Sequence, residues 1–112
     1  MQIFNLKKAL DLVDNDKNLL ALLIDSFLNE NKFERSELDS LINQKKFEEA
    51  AGYVHAAKGA ARQLCLENLQ TSSQKLEDAL RGKTQGDIAA LEDNMADDYR
   101  EAVNILKLSR PA

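Results

Sequence analysis

Apolar residues recur three and four positions apart along four long stretches of this chain, a spacing that the 3.6-residue period of an α-helix gathers onto one face. Phe47, Ala50, Val54, Ala57, Ala61 and Leu64 form the cleanest such seam, and Leu66, Leu69, Ser73, Leu76 and Leu80 repeat it immediately afterwards. The composition offers no competing structure. Leu occurs 18 times and Ala 14, against 10 Val, Ile and Thr together, with only four glycines and one proline in 112 residues. An all-α fold is therefore expected.

The punctuation between the stretches sets the architecture. Asn5 is placed to cap a short first helix carrying Ile3, Leu6, Leu10 and Val13, which Asp14, Asn15 and Asp16 then break. Asp16 caps the next helix, which is expected to run from Lys17 to about Asn43 with Leu20, Ile24, Phe27, Leu38 and Leu41 on one stripe. Asn31 and Glu34 interrupt that stripe, and a bend or partial exposure is expected there. Gly82 sits where a helix end in the left-handed conformation favours a residue without Cβ. Thr84, with Asp87 completing a capping box, is expected to open a last helix whose inward residues are Ile88, Leu91, Met95, Ala102 and Ile105 or Leu106. Short connections favour antiparallel neighbours. The expected fold is an antiparallel up-down-up-down four-helix bundle with a short additional N-terminal helix, residues 1–112 forming one domain. A chain of this length buries somewhat under about 70% of its unfolded surface, enough for one core without staples.

Fifteen basic and nineteen acidic side chains give a net charge of −4, with no basic block, so nucleic acid is not an expected partner. The longest stretch free of Asp, Glu, Lys and Arg runs only from Ala50 to Ala57, far short of the roughly 20 apolar residues of a membrane span. No membrane insertion is expected. Lys7 and Lys8 follow the first apolar residues instead of preceding them, unlike a secretory leader, and the single cysteine, Cys65, has no internal disulfide partner. A cytoplasmic monomer is expected. No glycine-rich phosphate loop and no carboxylate set suited to Mg²⁺ is present, so no cofactor or metal is expected either.

Opposite its packing seam, the stretch from Phe47 to Leu64 carries Glu48, Gly52, His55, Lys58, Gly59 and Arg62. This projects the sole histidine of the chain to solvent beside two cations. Ala51, Gly52, Ala56, Gly59 and Ala60 leave a low floor around it. Gly59 costs a helix interior about 1 kcal/mol relative to Ala, so its presence calls for a reason, either close approach of another macromolecule or helix packing.

The run from His55 to Ala61 resembles the His-x-x-Lys-Gly signature of histidine-containing phosphotransfer (HPt) domains, which that family places on the second long helix of a four-helix bundle. The likeness extends along the chain: Phe4, Leu6 and Leu10 are similar to the family's short first helix, Leu23 to Leu41 to its first bundle helix, and Leu76, Glu77, Ala79 and Arg81 to a typical helix ending. The resemblance implies a phosphocarrier without nucleotide-dependent activity of its own. His55 would accept a phosphoryl group on Nε2 from a receiver aspartyl phosphate or from a sensor or hybrid histidine kinase. It would then return the group to a receiver (response regulator) domain, the receiver supplying the metal. Lys58 would partly neutralise the phosphoryl charge as a mobile ammonium, and Gly59 would give docking clearance. Glu77, where relatives often carry Gln, would accept from Nδ1–H and orient the imidazole; an ordinary solvated charge is the alternative. Cys65 stands where many relatives have a second glycine, which implies a different path at that helix end and suits a packing role better than redox chemistry. Arg62 reads as a solvated charge. The other functional class to weigh is a helical adaptor that binds receivers or other signalling proteins without being phosphorylated. A hydrolase using His55 as general base lacks a nucleophile and a substrate pocket.

Overall fold

The computed structural model describes residues 2–30 and 32–111. It contains six α-helices and, among the described residues, no strand: α1 (Leu6–Leu12), α2 (Lys17–Glu30), α3 (Arg35–Asn43), α4 (Phe47–Gln63), α5 (Glu67–Leu80) and α6 (Ile88–Ser109).

Caps start the helices where the sequence offers an oxygen. Asn5 Oδ1 accepts from the Lys8 amide at 3.1 Å, Asp16 Oδ1 from Leu19 at 3.1 Å and Asp87 Oδ1 from Ala90 at 3.2 Å. The last of these corrects one expectation: Asp87 itself is the cap, and α6 starts at Ile88 and not near Thr84. Four helices end in the same turn. Asp14, Lys45, Cys65 and Gly82 have φ of 53°, 58°, 55° and 75°, and the next amide in each case bonds back five residues, as Leu66 does to the Ala61 carbonyl at 3.0 Å. Such a turn satisfies a carbonyl orphaned at the helix end within very few residues.

The expected continuous helix from Lys17 to Asn43 is two helices. The interruption anticipated at Glu34 is present, as the residue preceding α3; Asn31 lies outside the described residues. No glycine or proline marks the break, and tertiary packing holds it. Phe33 is buried within it, its ring 5.8 Å from that of Tyr53 and 5.6 Å from that of Tyr99, which in turn lies 5.9 Å from Phe27. The Glu34 amide donates to Tyr53 Oη at 2.7 Å.

α5 packs along both α4 and α6, α3 along α4, and α1 against α2. Their shared core is aliphatic: Leu20, Ile24, Leu38, Val54, Leu66, Leu69, Leu76, Met95 and Leu106 are essentially inaccessible to solvent. Truncating one such leucine to alanine typically costs about 2–5 kcal/mol. The predicted seams of α4 and α5 are buried in this core, except that Ala57 is only partly buried and Phe47 is more than a third exposed. The N-terminal segment is stitched to the α4–α5 turn, where the Asn5 amide donates to the Cys65 carbonyl and the Asn68 amide to that of Gln2, both at 3.0 Å. α4 and α5, packed along each other, are the two helices that carry the candidate site.

Candidate functional site

α4 turns its alanine-rich seam inward, which leaves His55 on the outer face with 58% of its side chain exposed. The floor around it is narrower than expected. Ala51 and Ala60 belong to the core, and the open part consists of Gly52 and Ala56, with Gly59 half-buried. A Cβ built on Gly52 or Gly59 would meet nothing within 4 Å, so internal packing requires neither glycine. Of the two reasons offered for Gly59, helix packing therefore falls away.

Glu77 projects from α5 toward α4 and is 6% exposed, which removes the solvated-charge reading. Both of its oxygens lie 3.1 Å from His55 Nδ1. Each oxygen also has a cation of its own: Lys58 Nζ stands 3.0 Å from Oε1, and Arg81 Nε stands 3.1 Å from Oε2. Burial acts to raise the carboxyl's pKa, but the hydrogen bonds from Lys58, Arg81 and His55 outweigh it and hold the value down to about 2. Glu77 is thus an anion at any physiological pH and a pure acceptor. Facing an anion, Nδ1 carries a hydrogen and donates it between the two oxygens, so in the neutral ring Nε2 is the nitrogen that holds the lone pair.

Lys58 departs from its expected place. Its ammonium is not a mobile group on the surface; the residue is 7% exposed and donates to Gln74 Oε1 at 2.8 Å as well as pairing with Glu77. A carboxylate on the neighbouring helix draws the side chain inward, because a buried charge needs a partner. Arg62 is exposed, as read from the sequence. Cys65 is 3% exposed, burial pushes its thiol pKa up, and its backbone takes the left-handed conformation that a glycine would take. A buried thiol with a raised pKa is a poor nucleophile, in keeping with a packing role.

Sequence reasoning passed over Arg81, noted only as part of a helix ending. Besides Glu77 it holds Glu48, donating from Nη1 to Oε2 at 2.9 Å across to α4. The signal available was its spacing, four residues after Glu77 on one helix face.

A family model for the Hpt domain matches residues 22–107, which include both site helices entire. The chain belongs to the Hpt domain family. No match was found among curated proteins or among solved structures. Hpt domains act in phosphotransfer within two-component signalling, as phosphocarrier modules that interact with kinases and response regulators and not as enzymes with their own catalytic activity. In this Hpt domain no helix among the described residues is long and apolar enough to cross a membrane, and no cluster of three or more His, Cys, Asp or Glu among them is arranged to hold a metal.

Proposed function

We propose that this Hpt domain is a phosphorelay intermediate in which His55 Nε2 accepts a phosphoryl group from a receiver aspartyl phosphate, or from a sensor or hybrid histidine kinase, and passes it to a receiver domain. The observation that carries this reading is the half-exposed imidazole whose Nδ1 lies 3.1 Å from both oxygens of a buried carboxylate, so that Nε2 is the ring nitrogen Glu77 does not engage. In the forward step the Nε2 lone pair forms the N–P bond while the P–O bond to the donor aspartate breaks, its electrons leaving as aspartate carboxylate. The Nδ1 proton stays where it is. The ring becomes cationic, and Glu77, already an anion, faces that charge without any proton transfer. The reverse step runs through the same geometry, as a carrier requires.

Gly59 serves docking in this reading, since the space above it is empty and a receiver must bring its aspartate within bonding reach of Nε2. Lys58 supplies a fixed positive field beneath the site and orders Glu77. The domain acts as a cytoplasmic monomer of residues 1–112, an antiparallel up-down-up-down four-helix bundle in which α2 and α3 together stand as the first helix, α4, α5 and α6 as the other three, and α1 as the added N-terminal helix.

The test is phosphorylation of the purified chain by phosphoramidate and by a phosphorylated receiver domain. An acid-labile, alkali-stable phosphate is expected on the parent and none on His55→Gln, whose helix content should be unchanged because the side chain is exposed. Gly59→Gln should label with phosphoramidate as the parent does, yet fail with the receiver. Receiver binding without labelling would make the protein an adaptor instead.

A further inference from the structure

The cradle under His55 is symmetric in an unusual way: one N–H is shared equally by two oxygens, and each oxygen is pinned by a different cation. The two cations are not equivalent. Lys58 divides its ammonium between Glu77 and Gln74, approaches from inside the protein and sits one turn from His55 on the same helix. Arg81 meets the other oxygen, is 28% exposed, and among the described residues is the one that connects Glu77 back to α4 by a route that bypasses His55 and Lys58, through Glu48. Its guanidinium is planar, so the Nε bond to Oε2 and the Nη1 bond to Glu48 fix one another's direction.

The last torsion of a glutamate side chain is broad. With Oε2 released, the Glu77 carboxylate is free to turn about that torsion toward Lys58, and a two-oxygen cradle becomes a one-oxygen contact. The imidazole ring follows its hydrogen-bond acceptor, and the direction of Nε2 changes with it. The Arg81–Glu48 contact has little else to contribute, since Glu48 is 79% exposed and a surface ion pair adds about 0–1 kcal/mol to stability.

Building on the phosphoacceptor reading of His55, we propose that Arg81 is a positioning residue for phosphoryl transfer. Held between Glu48 on α4 and Oε2 of Glu77 on α5, it sets the orientation at which Nε2 meets the phosphorus atom. Its influence on the transfer runs through Glu77.

Because the chain has a single histidine, the imaging of its two ring nitrogens by ¹⁵N NMR is free of overlap. Arg81→Ala and Arg81→Lys are compared with the parent for His55 tautomer signals, phosphoramidate labelling followed by ³¹P NMR, and urea unfolding. Arg81→Ala should lower the Nδ1–H tautomer fraction and slow labelling by about tenfold, the scale of losing a residue that orients an active ligand, while the unfolding midpoint stays close to the parent's. Arg81→Lys, which keeps a cation near Oε2, should recover part of the rate. Parent-like tautomer signals in Arg81→Ala would overturn the proposal, as would slowed labelling that simply tracks lost folding. If the parent itself is not labelled at His55, the phosphoacceptor reading fails; the tautomer signals still decide whether Arg81 orients the ring.

Discussion

Two glutamates lie equally deep in this bundle, Glu77 at 6% exposure and Glu92 at 5%, and their carboxyls titrate on opposite sides of the ordinary value. Glu77 has Lys58, Arg81 and the His55 N–H converging on it, and its pKa falls to about 2. Glu92, on α6, faces α3. Burial and the neighbouring Asp39 carboxylate drive its pKa up to about 7, against a weaker pull from Arg35. That guanidinium reaches Glu92 Oε1 at 3.3 Å but is shared with Asp93, and Glu92 Oε2 has no hydrogen-bond partner among the described residues. Depth alone therefore does not decide whether a buried acid is charged; the sign of what surrounds it does. The bundle concentrates cations around the buried acid that faces the imidazole and leaves its other buried acid about half protonated near pH 7.

The largest effect should come from breaking the charged side of this contrast. Glu77→Ala strands Lys58 in the interior without its carboxylate, and urea unfolding near neutral pH should show a loss of about 3–5 kcal/mol. A loss under about 1 kcal/mol would mean that Lys58 simply turns out to solvent.

The pH dependence of stability should carry both signatures. Glu77, depressed from 4.5 to about 2, contributes stability that is present above pH 4.5 and lost as pH falls toward 2. Glu92, raised from 4.5 to about 7, contributes in the opposite sense: its share is present below pH 4.5 and lost as pH rises through 7. Each limb is worth about 3 kcal/mol at 1.36 kcal/mol per unit. Glu92→Gln should flatten the upper limb alone, making the variant more stable than the parent by about 1–3 kcal/mol above neutrality and similar to it in mild acid. Melting curves across the pH range check this, and an unchanged upper limb would assign it to another group.

The smallest effect sharpens the comparison from the side of Asp39. Asp39→Asn removes the like charge but leaves the burial, so the Glu92 carboxyl should move part of the way back toward 4.5. A ¹³C-detected titration of Glu92 reads the shift, and the accompanying gain in stability near neutral pH should be about 1 kcal/mol or less.

Much of this was legible in the sequence. The caps at Asn5 and Asp16, the left-handed end at Gly82 and the seams of α4 and α5 follow from period and turn chemistry, which are local. What escaped depends on a second helix. The α2–α3 break is held by Phe33 against Tyr53 and Tyr99, residues distant in sequence, and carries no glycine or proline to announce it. Lys58 stands three residues from an exposed histidine, so its own helix predicts exposure; only Glu77 and Gln74 on α5 explain its burial. Glu92 follows Leu91 in a charged stretch and looks like solvated surface until α3 covers it. A motif singled out His55 and Gly59, whereas Arg81 stood in the sequence only as part of a helix ending, because its bond across to Glu48 on α4 exists only in the fold.

The aromatic run at the α2–α3 break also gives the protein a built-in optical probe. The chain has no tryptophan and two tyrosines, and both tyrosine rings lie against Phe33. Ultraviolet emission from the unlabelled domain consequently originates at this one corner, from Tyr53 two residues before His55 on α4 and from Tyr99 on α6. A partner that shifts α4 against the break would announce itself as a change in tyrosine light, with no dye attached and no residue replaced.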